Sequence, residues 1–297
     1  EPKDPETPHF IPAYSQKVKA SKEFQTFQFD HSFVLNSLKS SMEGYVFHNQ
    51  PLDTDDLLEQ TVKLFNSCKT SLELFDMLHN MRAYDDSTHA HSLNVALICR
   101  RIGKWLKVDA ATLDTLTLCG LLHDIGKLKI PDEILNKPGK YTDEEFDLVK
   151  RHTKFGYELL KPLNIDPHIK KAALLHHERC DGSGYPLKAT QKDLDDFSMV
   201  VAIADVYDAM TAARSYRAPL CPFQVIERFE QEGLQKYKPK FILTFLQHIA
   251  STYQNNRVLL SNGQSANIVM LNQQHLARPI VQLNDNSCID LSTRLDL

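Results

Sequence analysis

The chain has 297 residues, 24% of them charged and 42% hydrophobic, with a formal net charge of −4 at pH 7. At roughly 150 residues per domain it holds one large domain or two ordinary ones, and its mildly acidic balance argues against a protein that wraps a polyanion, which would carry a basic stripe. No apolar run is long enough to span a bilayer, and no charged, then apolar, then small-residue leader opens the sequence.

Residues 1–25 carry Pro2, Pro5, Pro8 and Pro12 among charges and predict an irregular lead-in. The first residue is Glu1 rather than Met, as in a trimmed fragment of a longer chain. Residues 30–48 and 54–82 read as helices. Asp53 or Thr54 caps the second, Asp55 and Asp56 occupy its first turn, and Leu57, Leu58, Val62 and Phe65 form an apolar stripe. These helices serve either as a dimerisation or sensing module or as packing for the next domain, and the composition favours packing. From Asp85 to about Tyr253 helix follows helix, over 88–106, 109–125, 167–178, 197–213 and 222–251. Ile130-Pro131 is a break, residues 137–140 are a loop, and Thr142 with Glu145 makes a capping box for a helix running through Leu160. After Asn255, strands at 257–260 and 268–271 flank an Asn262-Gly263 turn, and residues 279–283 and 288–291 suggest two more short strands. The expected fold is mainly α, with segments 1–82 (lead-in and N-terminal helices), 83–253 (helical domain) and 254–297 (small C-terminal β appendage). Cys68, Cys99, Cys119, Cys180, Cys221 and Cys288 are scattered without a Cys-x-x-Cys pair. Free thiols in a reducing compartment are therefore expected.

The helical segment carries chemistry. His123 and Asp124 end an apolar helical stretch with Leu113, Leu116 and Leu121 on one face. A carboxylate and an imidazole there are costly to bury unless compensated, and a cation would compensate them. Asp205 sits in the apolar run 201–206, where the same cost applies. His91, His152, His168, His176 and His177 offer further donors. Singly, each has an ordinary explanation: His152 as a surface residue, Asp205 as the partner of an arginine.

Together these stretches resemble a known family. His91-Ser92-Leu93-Asn94-Val95, Leu122-His123-Asp124-Ile125-Gly126-Lys127, Lys137-Pro138-Gly139-Lys140, His152, the run 176–186 from His176-His177 to Gly184-Tyr185-Pro186, and the run 204–211 around Asp205 follow a fixed order. That order resembles the HD superfamily of metal-dependent phosphohydrolases and, in its fuller form, the HD-GYP branch. The resemblance covers roughly residues 80–250. It implies an HD-type helical bundle that hydrolyses cyclic di-GMP to pGpG and onward to GMP, using a cluster of two or three divalent metals. Iron or manganese come first, with zinc, nickel or magnesium as further candidates.

Carried over position by position, the implied ligands are His91, His123, Asp124, His152, His176, His177 and Asp205. Asp124 would bridge, with His91, His123 and Asp205 on one metal and His152, His176 and His177 on the other. Three-metal members carry a glutamate one helical turn before the first histidine. Ser87 stands at that position here, and Asp85 and Asp86 are off that spacing, so two metals are expected. Lys127 matches the family's lysine and implies, with Asp124, the catalytic pair: a cation beside the scissile phosphate. Arg214 and Arg217 match phosphate-binding positions, although the run 212–217 departs from the usual Ser-Asp-Arg-Pro-Tyr form. Gly184 and Tyr185 complete the implied substrate-binding set: glycine lets backbone approach the ligand and Tyr185 meets a guanine face. Asp208, one turn after Asp205, is expected to orient a ligand.

The family setting is the bacterial cytoplasm, and the Gly-Tyr-Pro loop is implicated there in contacts with diguanylate cyclase (GGDEF) domains. A homodimer is an open option; a nucleic-acid polymer is not expected as a partner. Competing readings are a phosphodiesterase for the mixed cyclic GMP-AMP dinucleotide, a receptor that binds without turnover, and a general mononucleotidase. Turnover panels separate them.

Overall fold

The computed structural model describes residues 14–81, 87–212, 220–294 and 296. Helices α1 (Tyr14–Ala20) and α2 (Lys22–His48) come first. Helix thus begins well inside the expected lead-in. The prolines end at Pro12, and from there Val18, Phe24 and Phe27 present apolar groups at helical spacing, the two phenylalanines fully buried. Ser21 caps α2, its hydroxyl accepting from the Phe24 amide at 3.1 Å.

The single helix expected over 54–82 is two, α3 (Thr54–Ser67) and α4 (Ser71–Met81). Asp53 caps α3. Cys68 is extended, and the Thr70 hydroxyl accepts from the Glu73 amide at 3.1 Å, so local capping ends one helix and starts the next. Helix α5 (Thr88–Trp105) has Leu93, Val95, Ala96, Leu97 and Ile98 inaccessible to solvent, which makes it the central helix of the bundle. Helix α6 (Ala110–Leu122) crosses it closely. A Cβ on Gly120 would lie 2.7 Å from the Ala96 Cα, so only glycine permits that approach.

Beyond α6 come a 3-10 turn (Ile125–Lys129) and α7 (Asp132–Leu135). Next are α8 (Asp143–Lys150), with its Thr142/Glu145 capping box, and α9 (His152–Leu160), separated by Arg151. Then follow α10 (Pro167–Leu175) and α11 (Asp196–Thr211). The helix expected over 222–251 is α12 (Pro222–Glu232) and α13 (Pro239–Thr252), interrupted by Gly233 at φ 97° and by Pro239, which lacks the amide a continuous helix needs.

Four short strands close the chain: β1 (Arg257–Leu259), β2 (Ser265–Met270), β3 (Ile280–Leu283) and β4 (Cys288–Asp290). They form one antiparallel sheet in the order β1-β2-β3-β4, with a register shift between Ile268 and Met270. Gly263 supplies the positive φ of the first hairpin turn. Ala266, Ile268 and Val281 bury one face of the sheet in the same apolar cluster as the helices. Arg278 pairs with Glu227 of α12 at 2.9 Å. No helix is long and apolar enough to cross a membrane among the described residues. The cysteines are unbridged, Cys68, Cys99, Cys119 and Cys180 buried and Cys221 and Cys288 exposed.

Candidate metal centre

Helix ends deliver the donors. His91 lies in the first turn of α5, which Ser87 caps. His123 is the last residue of α6 in helical conformation, and Asp124 opens the 3-10 turn. His152 starts α9, His176 ends α10 with His177 beside it, and Asp205 projects from α11. Two donor groups result: Asp124, His152, His176 and His177, and His91, His123 and Asp205. Within each group one ligand atom per residue lies within 4.8 Å of the others.

The hydrogen bonds fix the ring orientations. The Nδ1 of His123 donates to the Gly120 carbonyl at 2.7 Å, that of His152 to the Val149 carbonyl at 2.6 Å, and that of His176 to the Ala172 carbonyl at 2.9 Å. A carbonyl can only accept, so each Nδ1 carries the proton and each neutral ring points a lone pair inward from Nε2. The Nε2 atoms of His152 and His176 are then two lone pairs facing each other at 3.3 Å. The Nε2 of His123 and the Oδ1 of Asp124 are buried without a hydrogen-bond partner. Each such atom costs on the order of 1–3 kcal/mol if left uncompensated. Converging acceptors of this kind fit cations, and imidazole nitrogen with carboxylate oxygen suits iron, manganese or zinc.

Asp124 divides its two oxygens between the groups. Its Oδ1 lies 3.3 Å from His152 Nε2 and 3.7 Å from His176 Nε2. Its Oδ2 lies 3.3 Å from His123 Nε2, 3.7 Å from His91 Nε2 and 2.5 Å from the Lys127 ammonium. Asp205 likewise faces His91 at 3.0 Å and His177 at 3.6 Å. Asp208 accepts from His91 Nδ1 at 2.7 Å.

Burial pushes His152 down to about 4 and His177 to about 3, and lowers His176 well below the ordinary histidine value. The same burial opposes charge on His91, but hydrogen bonds to Asp205 and Asp208 outweigh it and raise that ring to about 9. Burial would also raise Asp124 and Asp205; the Lys127 ammonium holds the first well below the usual carboxylate range, and the hydrogen bond from His91 the second.

The Gly-Tyr-Pro loop is pinned against this cluster. A Cβ on Gly184 would meet the His177 carbonyl at 2.5 Å and collide with the Glu178 backbone. The Tyr185 amide donates to the His177 carbonyl at 3.3 Å, and its ring lies 4.7 Å from that of His177. Glu178, to which the sequence reading gave no role, is the anchor: only 2% exposed, it accepts from the Leu187 amide at 2.5 Å and the Ala189 amide at 3.1 Å. Its signal in the sequence was a charged residue following directly on two donors.

The structure therefore brings together His91, His123, Asp124, His152, His176, His177 and Asp205, with Lys127, Asp208, Gly184 and Tyr185 around them. His168 stands apart, stacked on Phe197 at 4.3 Å and bonded to Asp195 at 2.6 Å. Arg214 and Arg217, and Asp85 and Asp86, lie outside the described residues.

Comparison with known proteins shows what the chain is similar to. A family model described as the HD domain matches residues 56–241. A cyclic di-GMP phosphodiesterase of Thermotoga maritima is 36% identical over 178 residues, covering 59% of this chain and 48% of that protein. Another, of Pseudomonas aeruginosa, is 32% identical over 207 residues, covering 69% and 50%. A 3'3'-cGAMP-specific phosphodiesterase of Vibrio cholerae is 34% identical over 183 residues, covering 61% and 35%. The chain thus spans about half the length, or less, of the curated relatives it matches. The HDG"Y"P protein Bd1817 from Bdellovibrio bacteriovorus shares the fold, with a TM-score of 0.54 over 79% of this chain and 74% of that one at 17% identity.

Proposed function

The chain belongs to the HD domain family, in its HD-GYP branch, and from that premise we propose that it is a metal-dependent phosphodiesterase that opens cyclic di-GMP to pGpG and carries it on to GMP. The observation that carries this reading is Asp124, one carboxylate whose two oxygens face two separate sets of inward lone pairs. A pair of divalent ions bound there supplies Lewis acidity to a phosphodiester and to the water that attacks it.

The residues take these roles in the proposal. Asp124 is shared; His91, His123 and Asp205 hold one ion, and His152, His176 and His177 the other. The ions are iron or manganese, with zinc, nickel and magnesium as the remaining options. A count of two is supported by Ser87, whose hydroxyl serves as the α5 cap at 3.2 Å from the Ala90 amide. Lys127 keeps positive charge against Asp124 and lends it to the scissile phosphate. Arg214 and Arg217 grip phosphate, and Gly184 and Tyr185 line the base. Residues 83–253 form the catalytic unit, and the loop around Tyr185 also offers a surface to diguanylate cyclase domains. Assembly as a homodimer and a place in the bacterial cytoplasm belong to the same reading.

The test is product analysis with anaerobically prepared, metal-loaded protein and cyclic di-GMP, alongside His123→Ala. Linear pGpG or GMP from the parent, and none from the variant, is expected. Tight binding without any cleavage in metal-replete protein would convert the enzyme into a receptor. A second reading, turnover of 3'3'-cGAMP, is favoured by one fact: relatives with either substrate in their names match at nearly equal identity, 36% and 34%. Side-by-side kcat/KM on the two dinucleotides decides between them.

A further inference from the structure

Tyr185, which packs on the donor residue His177, has an aromatic companion. Its ring lies between that of His177, 4.7 Å away, and that of Phe146, 6.4 Å away and nearly perpendicular at 77°. Phe146 belongs to α8, on the segment that leads directly into His152, and is 45% exposed. One turn further on, the Lys150 ammonium sits 4.9 Å from the centre of its ring and pairs with Asp147. Leu187, two positions after Tyr185, is also 57% exposed. One exposed phenylalanine needs no explanation. Here aromatic groups from two separate segments meet edge to face beside the donors. The loop that brings one of them is fixed by a glycine without room for a side chain and by a buried carboxylate given over to backbone amides. A preorganised apolar rim next to a centre built for phosphate suits a ligand whose phosphate carries a flat ring.

We infer that Phe146 forms, with Tyr185, a stacking wall for a purine base of the cyclic dinucleotide, and so sets KM without taking part in bond cleavage. This rests on the phosphodiesterase reading above. Every base has a π face, so such a wall accepts guanine and adenine alike and does not choose between them.

The experiment is steady-state kinetics of the metal-loaded chain, with Phe146→Ala and Phe146→Trp, on cyclic di-GMP, 3'3'-cGAMP and a base-free diester, the cyclic dinucleotide backbone with abasic sugars. Phe146→Ala is expected to raise KM for whichever dinucleotide the parent cleaves by about tenfold. Its kcat stays within about twofold, the base-free diester follows the parent, and Phe146→Trp restores KM. A parental KM in Phe146→Ala overturns the inference, as does an equal loss on all three substrates, which would make Phe146 a support for the rim. A parent that cleaves the base-free diester and neither dinucleotide overturns the cyclic dinucleotide reading on which the inference rests.

Discussion

Among the candidate ligand imidazoles, His91 and His177 turn Nδ1 towards carboxylates rather than backbone carbonyls. His123, His152 and His176 give their Nδ1 protons to backbone carbonyls, whereas His91 gives its proton to the Asp208 carboxylate. Asp208→Ala should therefore loosen the His91 half of the centre while leaving the His152 half loaded. Loss of such an orienting partner weakens metal binding by about 10–100-fold, and metal analysis after gel filtration should show content falling from two ions towards one. Asp208→Asn, which keeps an accepting oxygen, should recover most of it. The same chemistry sets a pH dependence for the metal-free protein. His91, raised from 6.5 to about 9, adds stability that is complete below 6.5 and lost as pH rises through 9. His152 and His177, lowered from 6.5 to about 4 and about 3, resist protonation while the unfolded chain accepts it, so stability drains as pH falls below 6.5. Chelator-treated protein should have its highest Tm near pH 6.5 and decline on both sides; a Tm that climbs steadily from pH 7 to 9 would contradict this account. Metal loading should remove the alkaline decline, because a ring that ligates through Nε2 no longer carries the second proton.

The elements hold these residues through close crossings that the sequence announced unevenly. Gly120 lets α6 approach α5, which sets His123 opposite His91 with ring centroids 5.3 Å apart. Gly120→Ala would place a methyl group 2.7 Å from a backbone atom that has nowhere to go. A cost of about 1–3 kcal/mol is expected, read as a lower urea midpoint, with reduced metal content as the helices separate. Helix α2 braces the other side. His31 meets Asn94 of α5 at 3.2 Å, and the Tyr45 hydroxyl donates to the Leu159 carbonyl of α9 at 2.5 Å, so one 27-residue helix touches both helices that open with a ligand histidine. The candidate ligands were legible because the motifs around His91, His123-Asp124, His176-His177 and Asp205 follow a fixed order, with the lone His152 falling between them, and the Thr142/Glu145 box because capping is local. The breaks at Cys68 and Gly233 were missed for another reason. Apolar periodicity runs on across a kink, and only the Thr70 and Pro239 signals opposed it. Nothing local could have revealed the bracing by α2, since its partners lie 63 and 114 residues away.

Over the whole molecule, helices and sheet share one apolar core, with Ile268 and Val281 buried among residues of the same cluster as Phe229 and Phe245. Removal of metal should therefore act on stability rather than on architecture. Chelation is expected to lower Tm by on the order of 10 °C while the far-UV circular dichroism at 20 °C stays unchanged. Loss of the helical signal on chelation would mean that the ions build the bundle. The aim of the rings argues otherwise. His123 and His176 are each steered by a carbonyl three or four positions back in their own helix, and His152 by the Val149 carbonyl at the end of the helix before it. Their directions are inherited from the winding of the chain and are set without an ion. Loading is then expected to be reversible: chelated protein dialysed against a divalent ion should regain metal without passing through an unfolded state, which metal analysis and circular dichroism together would check.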